Sequence, residues 1–100
     1  MILHIDTKDQ KTVRVALKNE GSIVEEMIEK NEYGSQVLLP LIEKLLKKNE
    51  LDYKDLKGVE VETGPGSFTG LRVGVSVANA LGFSLGIPVN GKKIETDIQY

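Results

Sequence analysis

Residues 62–82, ETGPGSFTGLRVGVSVANALG, contain the change of pattern that decides the fold. The overlapping letters GVEVET, residues 58–63, alternate apolar and polar side chains, which is typical of a strand. A glycine-rich turn, GPGSFTG, then opens a long apolar segment, for which we predict a helix over residues 69–84 capped by Ser67 or Thr69. A strand, a glycine-rich loop and a helix in this order are a building unit of α/β folds.

On the N-terminal side of this unit, the sequence predicts three strands and one helix. ILHID (2–6) and KTVRVALK (11–18) are separated by a TKDQ turn, and we interpret SIVEEMIEK (22–30) as the third strand of a meander. The segment QVLLPLIEKLLKKN (36–49) predicts a helix with Ser35 as its N-cap and lysines near its C-terminal end. Pro40 falls just past the first predicted turn, so we expect a slight kink there.

On the C-terminal side, GIPVN (86–90) is predicted to be the last strand. The element order is then βββαβαβ with a mixed sheet, which is the beginning of an actin-like or ribonuclease-H-like half-domain in the α/β class. We assign residues 1–91 to this domain. Residues 92–100 form a polar tail, interpreted as either an extra edge strand or a disordered segment.

Composition limits the classes of function. The chain has 100 residues, with 13 Lys and Arg against 15 Asp and Glu, so no strong positive field would attract nucleic acid. It has no cysteine, which excludes disulfides, thiol nucleophiles and thiolate metal sites. No apolar run approaches the roughly 20 residues needed to cross a bilayer, and MILHIDTKDQ does not have the pattern of a signal peptide. We therefore expect a cytoplasmic protein that does not bind membranes.

Both predicted helices are more apolar than a small domain needs. In the second helix the polar side chains Arg72, Ser76 and Asn79 fall within an arc of roughly 60°. A ridge of small residues recurs every four positions, although glycine inside a helix costs about 0.5 to 1 kcal/mol relative to alanine. Two interpretations stay open: packing within the domain, or docking on a partner's helices. The ridge consists of Gly70, Gly74, Ala78 and Gly82.

The glycine-rich loop also has two interpretations. Glycines before a helix N-terminus can hold a phosphate, and the candidates for such a vestigial site are Asp6, Thr7, Gly64, Gly66 and Ser67. However, a Walker loop would place lysine after its last glycine, and here Leu71 and Arg72 follow Gly70. The glycines are spaced G-x-G-x-x-x-G, which is one residue longer than the dinucleotide fingerprint. We therefore favour a tight turn that caps the helix.

Other candidates for chemistry are weaker. The only histidine, His4, lies in an apolar strand and is interpreted as a packed core residue. Asp6 and Glu62 could approach each other at strand ends, but such a pair is weak support for acid–base catalysis. We predict no catalytic residues and no metal site.

The motifs ILHIDT, SQVLLPLIEKLL, GPGSFTGLRVGVSVANALG and LGIPV occur in the order seen in the TsaB (YeaZ) family, which this sequence resembles over roughly residues 2–90. The resemblance implies a non-catalytic subunit of bacterial tRNA threonylcarbamoyladenosine synthesis. It implies docking of the two helices, residues 35–46 and 69–83, on the paralogous catalytic subunit TsaD or on a second copy. The expected interface residues are Gln36, Leu39, Gly70, Leu71, Arg72, Gly74, Val75, Ala78 and Asn79.

The resemblance also implies an ATPase partner, TsaE, and an indirect relation to tRNA. It implies no cofactor for this chain, with ATP or ADP bound only at an interface of the complex. Two features depart from the family pattern. The family continues beyond the GIPV strand, whereas this sequence stops at Tyr100, and Tyr33 and Gly34 precede SQ where a histidine is common.

Two other functions compete with the scaffold interpretation. One is a nucleotide-binding lobe of an actin-like kinase, in which Asp6 and the glycine-rich loop hold phosphate. The other is a self-associating domain without a role in tRNA modification. The missing lysine argues against the first. Only a test of partner binding distinguishes the scaffold from the self-associating domain.

Overall fold

The computed structural model describes residues 1–30 and 36–99. Strands β1 (Ile2–Asp6), β2 (Thr12–Asn19) and β3 (Ser22–Lys30) form an antiparallel meander. Helix α1 (Leu38–Lys48) and a short 3-10 turn (Tyr53–Asp55) lead to β4 (Gly58–Val61), which is followed by α2 (Phe68–Leu85). The sheet order is β3-β2-β1-β4, with β4 parallel to β1, so the predicted mixed sheet is confirmed. The predicted N-cap Ser35, with Tyr33 and Gly34, lies outside the described residues.

The core lies on one side of the sheet. Side chains alternate across a strand, so Leu3 and Ile5 of β1 are fully buried while His4 and Asp6 point to the opposite side. Both helices contribute to the same apolar cluster as Leu3 and Ile5. The opposite side of the sheet carries charged residues that pair with one another, including Lys18 with Glu60. The domain therefore has two layers, with one face of the sheet left uncovered by the described residues.

Helix α1 begins later than the sequence predicted. Its N-cap position is Val37, whose side chain forms no capping hydrogen bond. Pro40 is therefore the third helical residue, where the missing N–H would have no partner within the helix, and the expected kink loses its cause. At the other end, Lys48 Nζ lies 2.6 Å from Glu25 Oε2 of β3. The hydrogen bond from Lys48 lowers the pKa of Glu25 below its ordinary value.

Helix α2 has defined caps at both ends. The hydroxyl oxygen of Ser67, one of the two predicted caps, accepts from the N–H of Gly70 over 3.2 Å, and Gly86 ends the helix in the left-handed conformation with φ 67°. By length and composition alone, α2 could cross a membrane. This is weak support for a membrane span, because a core helix has the same composition, and six residues of α2 are buried.

We expect Ser67→Ala to destabilise the domain by about 1 kcal/mol, because the first turn of α2 loses its side-chain acceptor. Urea unfolding followed by circular dichroism measures this change. Ser84→Ala, which alters an exposed residue near the other end of α2, is the control. Equal stabilities of the two variants would contradict a capping role for Ser67.

The predicted last strand is wrong in length. The described chain after α2 forms only a single parallel bridge, between Val89 and Val59 of β4, before Asn90 and Gly91 turn with φ values of 52° and 75°. From this point the side chain of Asn90, and not the backbone of a further strand residue, pairs with β4. Its Oδ1 accepts from the N–H of Val61 over 2.8 Å, and its Nδ2 donates to the carbonyl oxygen of Val61 over 3.0 Å. A side-chain amide thus makes the hydrogen bonds to β4 that the backbone of a longer strand would make.

Candidate functional site

The glycine-rich loop between β4 and α2 lies against the turn that joins β1 to β2. The N–H of Ser67 donates to the carbonyl oxygen of Lys8 over 2.8 Å. Gly66 lies so close to this turn that a Cβ there would be 2.7 Å from the carbonyl oxygen of Lys8. One side of the loop is therefore occupied by the chain's own backbone.

The C-terminal segment covers a second part of the loop. The N–H of Gln99 donates to the carbonyl oxygen of Thr63 over 2.7 Å. Gly64 has φ 113°, which favours glycine, and a Cβ on it would overlap the carbonyl oxygen of Gln99. The loop thus contacts the β1–β2 turn through Gly66 and Ser67, and Gln99 through Thr63 and Gly64.

The phosphate-site candidates Asp6 and Thr7 make internal contacts. The buried hydroxyl of Thr7 donates to the carbonyl oxygen of Gly70 over 2.5 Å. The carboxylate of Asp6 accepts from the N–H of Lys8 over 3.1 Å and lies 3.8 Å from Arg14 Nη1. The structure therefore brings Asp6, Thr7 and the loop to one end of the sheet, where they bond to residues of this chain.

Asp6 and Glu62 share one lysine. Lys8 Nζ lies 3.0 Å from Glu62 Oε1 and 3.9 Å from Asp6 Oδ2. The hydrogen bond to Glu62, together with the charge of Asp6, raises the pKa of Lys8. With an ammonium group between them, the two half-buried carboxylates form an ion-pair cluster, which differs from the close carboxylate pair of acid–base catalysis.

His4 does not lie in the apolar core, so that prediction is wrong. Leu3 and Ile5 take the core side of β1, which turns His4 to the opposite face. There His4 Nδ1 forms a hydrogen bond with Glu60 Oε1 over 3.0 Å. Hydrogen bonds from Lys18 and then His4 lower the pKa of Glu60 below its ordinary value. Within residues 1–30 and 36–99, no cluster of three or more His, Asp and Glu side chains could hold a metal ion.

The structure places the glycine ridge of α2 against the chain's own sheet. A Cβ at Gly70 would overlap the carbonyl oxygen of Thr7, and one at Gly74 would overlap its hydroxyl. A Cβ at Gly82 would lie 2.5 Å from Val89 Cγ2. The ridge therefore serves packing within the domain, against the sheet and the segment that follows α2.

For the same reason, the domain itself buries most of the α2 residues that the sequence assigned to a partner interface. Leu71 and Ala78 are fully buried and Val75 is 4% exposed. These side chains turn inward because the ridge lies among them on the helix surface. The expected interface residues that are buried in the domain are Gly70, Leu71, Gly74, Val75 and Ala78.

The remaining interface candidates are accessible. Gln36 and Leu39 are exposed at the start of α1, and Arg72 is exposed on α2, with its guanidinium 5.3 Å from the centre of the Phe68 ring. Asn79 is half-buried and bonded to Glu95. The side of α2 that carries Arg72 and Ser76 also has apolar residues that sequence reasoning did not name as interface candidates. These residues are Phe68, Val73, Val77, Ala80 and Phe83.

A meander followed by a helix, a parallel strand and a second helix, with both helices packed on one side of the sheet, defines the class as actin-like or ribonuclease-H-like. The solved structure of YeaZ from Pseudomonas aeruginosa has this fold and supports the assignment. It superposes with a TM-score of 0.79 and 31% sequence identity, covering 88% of this chain and 41% of that one. The fold class predicted from sequence is confirmed.

Sequence comparison gives the family. A family profile described as TsaD, tRNA N6-adenosine threonylcarbamoyltransferase, matches residues 12–91. The tRNA threonylcarbamoyladenosine biosynthesis protein TsaB of Bacillus subtilis (strain 168) is 37% identical over 90 residues, and that of Escherichia coli (strain K12) is 31% identical over 90 residues. The chain belongs to the TsaD family and, within it, to the TsaB (YeaZ) group, as the sequence motifs predicted.

The match covers most of this chain and less than half of its relatives. It spans 89% of this chain and 39% of the Bacillus subtilis protein, and 90% of this chain and 38% of the Escherichia coli protein. The matched part contains both helices and the glycine-rich loop.

Proposed function

We propose that this chain is a non-catalytic docking subunit in the synthesis of threonylcarbamoyladenosine in tRNA, and that it binds a TsaD-like transferase. Relatives that are named tRNA threonylcarbamoyladenosine biosynthesis protein TsaB support the pathway. In this proposal the chain acts in the cytoplasm, forms a homodimer when alone, and shares its complex with a TsaE-like ATPase. Its relation to tRNA is then indirect, through the transferase.

The observation that carries the docking proposal is the outward surface of α2. Six residues of α2 are buried in the domain. Of the remaining apolar residues, Val73 and Val77 are half-buried and Ala80 is exposed to solvent. We call the group Leu39, Val73, Ser76, Val77 and Ala80 the docking face. Its only neighbouring charge on α2 is Arg72, and depletion of charge is typical of the centre of a protein interface.

The shape of the docking face also suits a helix. Ser76 and Ala80 lie one turn apart on α2, and their small side chains let another helix approach closely. Leu39 of α1 is 44% exposed and adds an aliphatic side chain from a second helix. Both helices pack against the same apolar cluster and still have accessible aliphatic residues, which suits packing against helices of a partner.

The interior contacts of the glycine-rich loop support a non-catalytic role. Ser67, Thr63 and Thr7 already have hydrogen-bond partners within the chain. The N–H of Ser67 and the hydroxyl of Thr7 would have to leave these bonds to contact a phosphate, so the kinase-like alternative has less support. We propose that the chain has no cofactor of its own, and that ATP or ADP binds only where the complex supplies the rest of a site.

Light scattering after size exclusion tests the proposal, first on the chain alone and then on its mixture with the TsaD of the same organism. We expect a dimer that exchanges into a one-to-one complex, and increased threonylcarbamoylation of tRNA when the chain is added to TsaD and TsaE. A dimer that ignores TsaD would favour a self-associating domain. A monomer that ignores TsaD would contradict docking altogether, and ATP titration would then test the kinase-like alternative.

A further inference from the structure

Residues 92–99, which we call the latch segment, are held to α2 by a paired amide contact. Asn79 Nδ2 donates to the carbonyl oxygen of Glu95 over 2.9 Å. Asn79 Oδ1 accepts from the N–H of Glu95 over 2.8 Å. The side chain of one helical residue thus satisfies both backbone groups of Glu95, as a neighbouring strand would.

The carboxylate of Glu95 forms further hydrogen bonds, both within the latch segment and to the turn that precedes it. Only 4% of this residue is exposed. Its Oε2 accepts from Asn90 Nδ2 over 2.9 Å, and its Oε1 accepts from the N–H of Asp97 over 2.9 Å and from Lys92 Nζ over 3.1 Å. An ionised carboxylate accepts all three of these bonds and donates none, which matches three donors facing it.

The far end of the latch segment closes on the glycine-rich loop. Ile98 is half-buried against the apolar core, and the N–H of Gln99 donates to Thr63. The carbonyl oxygen of Gln99 occupies the space beside Gly64 that a Cβ would fill. The segment therefore crosses from α2 to the loop, with Glu95 as its buried attachment.

We propose that residues 92–99 are a releasable latch over the glycine-rich loop, which the ionised carboxylate of Glu95 keeps closed and which opens locally when that charge is removed. The proposal concerns the latch segment alone and does not depend on the docking proposal. A neutral side chain at this position cannot accept hydrogen bonds from all three donors. The donor left without a partner destabilises the closed state, because burying an unpaired polar group costs free energy. The attachment fails first because the other contacts of the segment are few and lie near the surface.

Lys92 is the charged side chain that bonds to Glu95, and Asp97 contributes its backbone N–H; both residues lie on the latch segment itself. The preceding turn contributes Asn90 and helix α2 contributes Asn79, which are uncharged. Lys92 also lies 3.0 Å from Asp97 Oδ2, and the side chain of Asp97 is 79% exposed. The carboxylate of Asp97 is therefore close to Glu95 in the chain but exposed, so it can serve as a control.

The direction of the pH effect follows from the hydrogen bonds. Burial alone would raise the pKa of Glu95, but the bonds from Asn90, the N–H of Asp97 and Lys92 lower it below the ordinary value. A lowered pKa means that the carboxylate stabilises the closed latch fully above the ordinary glutamate pKa of about 4.3. This stabilisation is lost as the pH falls through the lowered value.

Hydrogen exchange measured by NMR on the full chain tests the latch. At neutral pH, Glu95→Gln keeps the shape of the side chain and removes its charge. We expect exchange of the Gln99 and Glu95 amides to accelerate at least about tenfold, since a bond to a charged acceptor is lost. The N–H of Val59 bonds to Pro88, ahead of the latch segment, and the N–H of Leu71 lies in the first turn of α2, so both should keep their wild-type protection. Asp97→Asn, with the same change of charge, should leave the latch closed.

A second variant and a pH series complete the test. Asn79→Ala removes the attachment from the α2 side and is expected to accelerate exchange of the same amides. In the wild-type protein, lowering the pH should accelerate exchange of these amides before that of Val59. Unchanged protection in Glu95→Gln would overturn the proposal. Simultaneous loss of protection at Val59 and Leu71 in both variants would also overturn it, because the segment would then be part of the cooperative core.

Discussion

Gly70→Ala is expected to lower the free energy of unfolding by about 3 kcal/mol or more, the upper range for overpacking of a close contact. A Cβ at Gly70 would overlap the carbonyl oxygen of Thr7, which is backbone and cannot rotate away. In an unconstrained helix the same change would stabilise by about 1 kcal/mol, so the sign of the effect is diagnostic. Urea unfolding followed by circular dichroism measures it.

Two comparisons make this experiment specific. Ser76→Ala, on the exposed side of the same helix, should change stability by no more than about 0.5 kcal/mol. At Gly74 the overlapping atom is the Thr7 hydroxyl, a side-chain atom. Combining Gly74→Ala with Thr7→Ala should therefore cost less than the sum of the single changes, whereas Gly70→Ala should gain no such relief. A Gly70→Ala protein as stable as Ser76→Ala would contradict the close packing of α2 on β1.

Ala80→Glu is expected to weaken association at least about 30-fold while leaving the domain folded. Ala80 is exposed on the docking face, and an unpaired carboxylate at the centre of an interface typically costs 2 kcal/mol or more. Val75→Glu should behave differently, because Val75 is 4% exposed and its carboxylate would have to enter the apolar core. We expect that variant to unfold. Light scattering with and without TsaD, together with circular dichroism, separates the two outcomes.

Gln10→Glu is the matched control for Ala80→Glu. It adds the same charge at an exposed position in the turn between β1 and β2, which is not part of the docking face. Association of this variant should equal that of the wild-type chain. If Ala80→Glu also associated normally while folded, the outward surface of α2 would not be the interface.

The sequence predicted the elements well because their periodicities are distinct. Alternation in KTVRVALK and the spacing of apolar residues in α1 each match one kind of secondary structure. The orientation of α2 could not be predicted in the same way. Nearly its whole circumference is apolar or glycine, so its pattern does not say which side faces the sheet. The contacts of Gly70 and Gly74 with Thr7 decide that question, and they join residues far apart in the sequence.

The C-terminal part shows a second limit of prediction. GIPVN is predicted to be a strand, but Asn90 and Gly91 adopt positive φ and the side chain of Asn90 forms the hydrogen bonds with Val61. Whether an asparagine uses its backbone or its side chain depends on the partner it meets in the folded chain. The same holds for Asn79, expected at an interface and found bonded to Glu95.

The uncovered face of the sheet affects the thermodynamics of unfolding. That face carries Arg14 and Lys18, and the neighbouring Ile23 and Ile28 are already exposed in the folded chain. The face therefore adds little to the apolar surface that becomes exposed on unfolding. Exposure of apolar surface is the source of the positive heat-capacity change, which is about 1.2 to 1.5 kcal/mol/K for an average domain of this length. Calorimetry should give a value below that range for this chain. A smaller heat-capacity change flattens the dependence of stability on temperature, so the domain would respond weakly to moderate heating and cooling.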